Sequence, residues 1–372
     1  MTAVLFTIAA MFLGVQLGSV MLFMLRFGKQ LQADQAQPRI SLLRPVCGID
    51  AFEAETLASS FQQDYPDYEV IFCVGRADDA VVPLVRRLIA AHPQISARLL
   101  VGMPGQSGNP KLDNLWKGWD AASSEWICMA DSNLLLPRDY LTTLMLAWTP
   151  DTGMVSAPAI GSRVGNLGGA VEAAFLNSNQ ARLQFASDSL GQGFAQGKTL
   201  FFNHKILTRA GGLHALDRFM AEDASATVAI RSLGLKVTLP PLPFEQPVGR
   251  KSLRQVWMRQ LRWSRLRRDA FPGLFLCEIA NGAALPTLVF AAALASAGAA
   301  PVWILAWLAL WYGAEIALMR RAGWPASLRD MLVLPLRDAD GTVHSLQFIG
   351  ADGEKRYLTG GRKAGCYFDI GQ

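Results

Sequence analysis

The chain has 372 residues, of which 51% are hydrophobic and 17% charged. That balance excludes a disordered or fibrous protein and argues against a wholly soluble one, since soluble domains are nearer about one-quarter charged. Thirty-five Lys and Arg against thirty Asp and Glu leave a mild formal charge of +5, so the placement of charge matters more than its amount. The cysteines at 47, 73, 128, 277 and 366 form no C-x-x-C pair, and the histidines at 92, 204, 214 and 344 do not cluster. Neither a disulfide framework nor a His-based metal site is expected.

In chain order, Ala3 to Leu25 carries no charged side chain. At about 1.5 Å per residue this run crosses a hydrocarbon core of about 30 Å, so residues 1–26 are expected to form a transmembrane helix. A signal peptide fits less well, because there is no basic start and no small-residue cleavage site. Arg26, Lys29 and Arg39 follow the helix and place what comes after in the cytoplasm.

Residues 39–249 then have ordinary globular composition. Short apolar runs at Ile40–Pro45, Glu69–Val74, Arg98–Val101 and Glu125–Ala130 predict strands, and Val81–Ala91 predicts a helix between two of them. Alternating strands and helices predict an α/β, doubly wound, mostly parallel sheet, which binds ligands at the carboxyl ends of its strands. Asp50, Asp79 and Asp131 each stand just beyond a strand end, a setting for a nucleotide and a metal. Any one of them alone reads equally as a turn or capping residue. Gln192–Thr199 nearly fits the phosphate loop G-x-x-x-x-G-K-[ST], but its first position is Gln and no apolar strand feeds it, so it is set aside.

Residues 250–273 hold eight basic residues between Arg250 and Arg268, interleaved with Trp257 and Trp263, a composition suited to a basic interfacial helix. Ile279 to Ala314 is uncharged and too long for one span. With a turn at Gly298–Pro301, residues 274–321 are expected to form a transmembrane hairpin with both ends cytoplasmic, followed by an interfacial segment at 322–336. Charge then rises from five residues in 279–336 to ten in 337–372. This β-rich tail, with turns at Ala339–Gly341 and Ala351–Gly353, looks foreign to the rest.

The order of acids carries a resemblance. Asp79 in Ala-Asp-Asp, Asp131 in Ala-Asp-Ser, Asp223 in Ala-Glu-Asp, and Arg259-Gln-Leu-Arg-Trp263 resemble the D, D, D, (Q/R)-x-x-R-W pattern of membrane-bound, inverting, family-two-like glycosyltransferases. Ser41–Pro45, Asp64–Val70, Asn109–Leu115 and Ala210–Leu213 are similar to the ceramide glucosyltransferase family in particular. The resemblance covers about residues 1–335. It implies a GT-A-like cytoplasmic domain with one N-terminal and two C-terminal transmembrane helices in a bacterial inner membrane. It implies Asp223 as catalytic base, and Asp50, Asp79, Lys111, Asp131, Arg259, Arg262 and Trp263 in the donor site, with Asp131 holding Mg2+ or Mn2+. The implied partners are a UDP-glucose-like nucleotide sugar and a membrane lipid, ceramide first and a hopanoid or other lipid second, with no nucleic acid. The rival is an inactive membrane-anchored lipid- or nucleotide-binding protein. Two departures stand out: Asn133 replaces the second carboxylate of D-x-D, and Gln180 falls where animal members carry a histidine. Residues 337–372 weakly resemble a fragment of plasmid and phage primase-type proteins.

Overall fold

In this computed structural model, residues 1–28, 31, 36–273, 275 and 282–324 are described in full, and 331–337, 343–350 and 355–357 by their backbone. The chain divides into two compact units, Met1–Trp324 and Pro325–Gln372.

The first unit is built on a seven-stranded sheet of order β3-β2-β1-β4-β7-β5-β8. Its strands are β1 (Ile40–Val46), β2 (Tyr68–Val74), β3 (Ser96–Val101), β4 (Trp126–Ala130), β5 (Thr152–Ser156), β7 (Thr199–Asn203) and β8 (Lys236–Thr238). The four strands expected from apolar runs are β1 to β4, and they pair in parallel. Strand β2 is buried along its whole length, as a strand covered on both faces should be. Helices Val82–Ala91 and Pro110–Ala121 are the crossovers that make parallel pairing possible. Strand β7 alone runs against its neighbours, pairing antiparallel with β4 and with β5. A second, two-stranded parallel sheet joins β6 (Ala159–Val164) to β9 (Phe244–Gly249).

Among the described residues one helix is long and apolar enough to cross a membrane, Thr2–Phe27, with mean hydropathy 2.1. It packs on helices Ala284–Ser296 and Trp303–Ala322 through a cluster of Ala9, Trp307 and Trp311. Between those two helices Gly298 turns the chain at φ +62°. Residues 274 and 276–281, at the start of the expected hairpin, lie outside the described residues. Arg26 is not left at a membrane surface: it is buried, ion-paired with Asp188, and donates to the Leu239 and Pro240 carbonyls at 3.1 Å each. The basic segment forms helix Leu253–Ala270, started by a reciprocal cap between Ser252 and Gln255.

The second unit is an antiparallel three-stranded sheet of β10 (Met331–Arg337), β11 (Val343–Gly350) and β12 (Lys355–Tyr357). The boundary expected at 337 falls inside β10, whose residues from 331 onward pair with β11. The two turns expected in this tail lie outside the described residues.

Candidate active site

The carboxyl ends of β1, β2 and β4 bring Asp50, Asp79 and Asp131 to one edge of the sheet. On the β1–β2 side the acids hold the chain itself. Asp79 accepts the Gly48 amide on both oxygens, at 2.9 and 3.1 Å, and the Val81 amide at 2.9 Å. It thereby ties the loop after β1, which turns at Gly48 with φ +70°, to the start of helix Val82–Ala91. Asp50 pairs with Lys251 at 2.9 Å, linking the same loop to the entry of the basic helix.

Arg44 on β1 is fully buried and plays a part its sequence context did not reveal. One of its nitrogens donates to the carbonyls of Thr56, Ser132 and Leu134 at 3.0, 3.0 and 3.1 Å. It fixes the turn that follows Asp131.

At the end of β4 the charges converge. Asn109 caps helix Pro110–Ala121 by accepting the Lys111 amide at 2.9 Å, with Pro110 in the first turn, where a missing N–H is harmless. This start aims Lys111 at Asp131 Oδ1 (2.6 Å), Glu222 Oε1 (2.7 Å) and the Gly197 carbonyl (2.6 Å). Lys198, from the start of β7, reaches Asp131 Oδ2 at 3.0 Å and Asn133 Oδ1 at 3.1 Å. The reversed strand explains this: Ala130 pairs with Thr199, so the end of β4 lies beside the start of β7. Burial alone would raise the Asp131 pKa, but the two ammonium groups outweigh it and hold the carboxyl at about 2.

Asp223 opens helix Glu222–Ser232. Its oxygens accept the Gly197 amide and the Ala224 amide at 2.8 Å each. Burial, then the neighbouring Glu222 carboxylate, push its pKa up to about 6. A Cβ on Gly197 would come within 2.9 Å of Glu222 Oε1 and 3.2 Å of Lys111 Nζ, so the backbone approaches these side chains only because residue 197 is glycine.

The R-x-x-R-W residues divide. Arg259 forms an ion pair with the fully buried Glu172 and lies 6.0 Å from the Trp263 ring centre. Trp263 packs on the cluster of Ala173, Leu176 and Val248. Arg262 is exposed. Lys198, Glu222, Glu172 and Arg44 were missed as site residues from sequence, although Lys198 lay in the rejected phosphate-loop run, Glu222 in Ala-Glu-Asp and Arg44 in Ser41–Pro45. That rejection stands in one respect, since Thr199 begins a strand and no helix follows Lys198.

The residues around Asp131 do not fit a resident divalent cation. Such an ion needs several oxygen ligands. Here both Asp131 oxygens and the Asn133 oxygen already face ammonium groups. Among the described residues no three His, Cys, Asp or Glu side chains are arranged to hold a metal ion.

A largely parallel sheet carrying acids at its carboxyl edge, with one reversed strand, defines a glycosyltransferase-type α/β fold. The solved mannosyltransferase PcManGT from Pyrobaculum calidifontis, in complex with GDP-Man and Mn2+, shares it with a TM-score of 0.53 at 21% identity, over 86% of this chain and 99% of that one. The chain belongs to glycosyl transferase family 21, whose profile matches residues 4–347. Ceramide glucosyltransferase 1 of Caenorhabditis elegans is 26% identical over 256 residues, 68% of this chain and 55% of that protein. A ceramide glucosyltransferase of Komagataella phaffii is 38% identical over 99 residues, 26% of this chain and 19% of that protein. The chain thus spans about half the length of the C. elegans relative.

Proposed function

We propose that this chain transfers a hexose from a nucleoside diphosphate sugar to the hydroxyl of a membrane lipid, with inversion at the anomeric carbon. A ceramide-like acceptor is favoured by the relatives. The observation that carries the reading is Asp223: a half-buried carboxylate with its pKa lifted to about 6, beside the charged cluster at Asp131. A general base works best with a pKa near the operating pH. In one displacement the acceptor oxygen bonds to the anomeric carbon as the bond to the diphosphate oxygen breaks. The acceptor proton passes to Asp223, and the nucleoside diphosphate leaves with the bonding electrons.

The leaving diphosphate must be neutralised. The resemblance implies Mg2+ or Mn2+ for that work; the side chains around Asp131 favour ammonium groups in its stead. Asp79 and Asp50 hold the loops that would border the nucleotide, Arg259 anchors the basic helix through Glu172, and Arg262 is free to meet phosphate or lipid. We place the catalytic domain in the cytoplasm of a bacterial cell, anchored in the inner membrane by helix Thr2–Phe27 and the hairpin at 274–321.

Lipid extraction and mass spectrometry of cells expressing the chain should reveal a hexosylated lipid, with a β-anomeric proton signature by NMR when the donor is UDP-glucose. Absence of any new glycolipid in cells supplied with ceramide and hopanoid would overturn the reading. An α-linked product would overturn inversion alone.

A further inference from the structure

Lys111 and Lys198 both contact Asp131, yet their valences differ. An ammonium group has three N–H donors and no acceptor. All three of Lys111 have partners: Asp131, Glu222 and the Gly197 carbonyl. Lys111 is therefore a fixed part of the framework, holding the helix starts at Pro110 and Glu222 against the turn at Gly197. Lys198 has two acceptors, Asp131 Oδ2 and Asn133 Oδ1. Its third N–H has no acceptor among the described residues, which leaves that donor open to a ligand.

We propose that Lys198 is the group that receives the donor diphosphate, bridging Asp131 to a phosphate oxygen where a divalent cation would otherwise sit. The proposal rests on the glycosyl-transfer reading and deepens it. Residue 133 fits the substitution. A second carboxylate there would add an anionic ligand for a metal, whereas the Asn133 carbonyl oxygen is a neutral acceptor that orients one ammonium N–H without drawing the cation away from phosphate.

Placement supports the role as well. Lys198 directly follows Gly197, whose amide holds Asp223. Consecutive Cα atoms are about 3.8 Å apart. The base for the incoming hydroxyl and the cation for the departing phosphate thus flank one turn. A displacement with inversion needs both a base for the acceptor and a cation for the leaving group near one carbon, and the turn at Gly197–Lys198 brings the two close. As the carbon–oxygen bond breaks, negative charge grows on the phosphate oxygen that Lys198 faces, and the ammonium stabilises it without being consumed. No oxidant, reductant or further reactant is required.

The test is calorimetric titration of the full-length, detergent-solubilised protein with UDP and with GDP, first in EDTA and then in Mg2+. One of the two nucleotides is expected to bind in EDTA, its Kd changing less than about threefold on adding Mg2+. Lys198→Met is expected to weaken that nucleotide about ten- to a hundredfold, the range for losing one hydrogen bond to a charged group. The matching nucleoside, which lacks phosphate, should bind both proteins alike, and Lys198→Arg should recover most of the affinity. Wild-type binding that vanishes in EDTA and returns with Mg2+ would overturn the proposal while leaving glycosyl transfer intact. So would Lys198→Met binding as tightly as wild type. Failure of both nucleotides under both conditions overturns the glycosyl-transfer reading, and this inference with it. Because the EDTA comparison uses the unaltered chain, a variant that does not fold cannot hide the answer.

Discussion

The acids at the sheet's carboxyl edge fall into two regions with different physics. At the ends of β1 and β2, Asp50 and Asp79 are occupied by the half-buried Lys251 and by backbone amides, and they shape loops. At the end of β4 and the start of helix Glu222–Ser232, Asp131 and Asp223 lie among buried charges that drive their pKa values apart, to about 2 and about 6. A carboxylate satisfied by amides is architecture. One whose environment decides its protonation is available for chemistry. The two regions share a sheet edge and a residue type, but not a role.

The largest effect expected is on the chemical side. Asp223→Asn should lower kcat by about 10²–10⁴-fold while nucleotide affinity, measured by titration calorimetry, stays within a few-fold. Equal loss of both would place Asp223 with the architectural acids. The pH profile sharpens the point. The folded Asp223 pKa of about 6 lies above its ordinary 3.8, so the base is lost as pH falls through about 6, and kcat/KM should halve there. The linkage signs are opposite for the two acids. Asp223, with a raised folded pKa, contributes stability at low pH that is lost as pH rises through about 6. Asp131, with a lowered folded pKa, contributes stability above about 4 that is lost as pH falls toward about 2. Thermal melts from pH 3 to 8 of Asp223→Asn and Asp131→Asn against wild type would separate them.

A smaller effect is expected from Gly197→Ala, whose new methyl must displace Glu222 or Lys111. Misplacement on that scale should cost about ten- to a hundredfold in kcat, with little change in melting temperature. The smallest is on the architectural side. Asp79→Ala frees two backbone amides and should lower stability by about 1–2 kcal/mol, read as a denaturation midpoint. Its kcat at saturating donor should stay near wild type; a collapse of kcat would erase the distinction between the regions.

Much of the fold was legible in sequence because its signals are local. Runs such as Glu69–Val74 are apolar and β-branched, and the acids that follow them are visible as strand ends. What was not legible depends on pairing between distant segments. Lys198 reaches Asp131 only because β7 inserts antiparallel beside β4, and nothing in Thr199–Asn203 announces its direction. Arg259 was visible in its motif, but its partner Glu172 lies 87 residues earlier on another element. Arg44 sat inside an ordinary strand signal, and its three carbonyl partners come from helix Glu53–Ala58 and from the turn after Asp131. The tail boundary at 337 followed a step in charge density, whereas the strand that contains it follows hydrogen bonding.

The first helix also bears on how the protein can be handled. Arg182, 2% exposed, donates to the Ser19 hydroxyl and to the Gln16 carbonyl, and Arg26 is buried against Asp188 and Phe185. Trimming residues 1–28 to obtain a detergent-free catalytic fragment would strand Asp188 without its cation and uncover the Arg182 guanidinium and the Phe185 face together. The buried contacts that Arg26 and the Gln16–Ser19 turn of the helix make with the rest of the domain would be lost together. Purification schemes for this protein should therefore keep the leading helix, because the segment that looks like a removable tether is a wall of the folded domain.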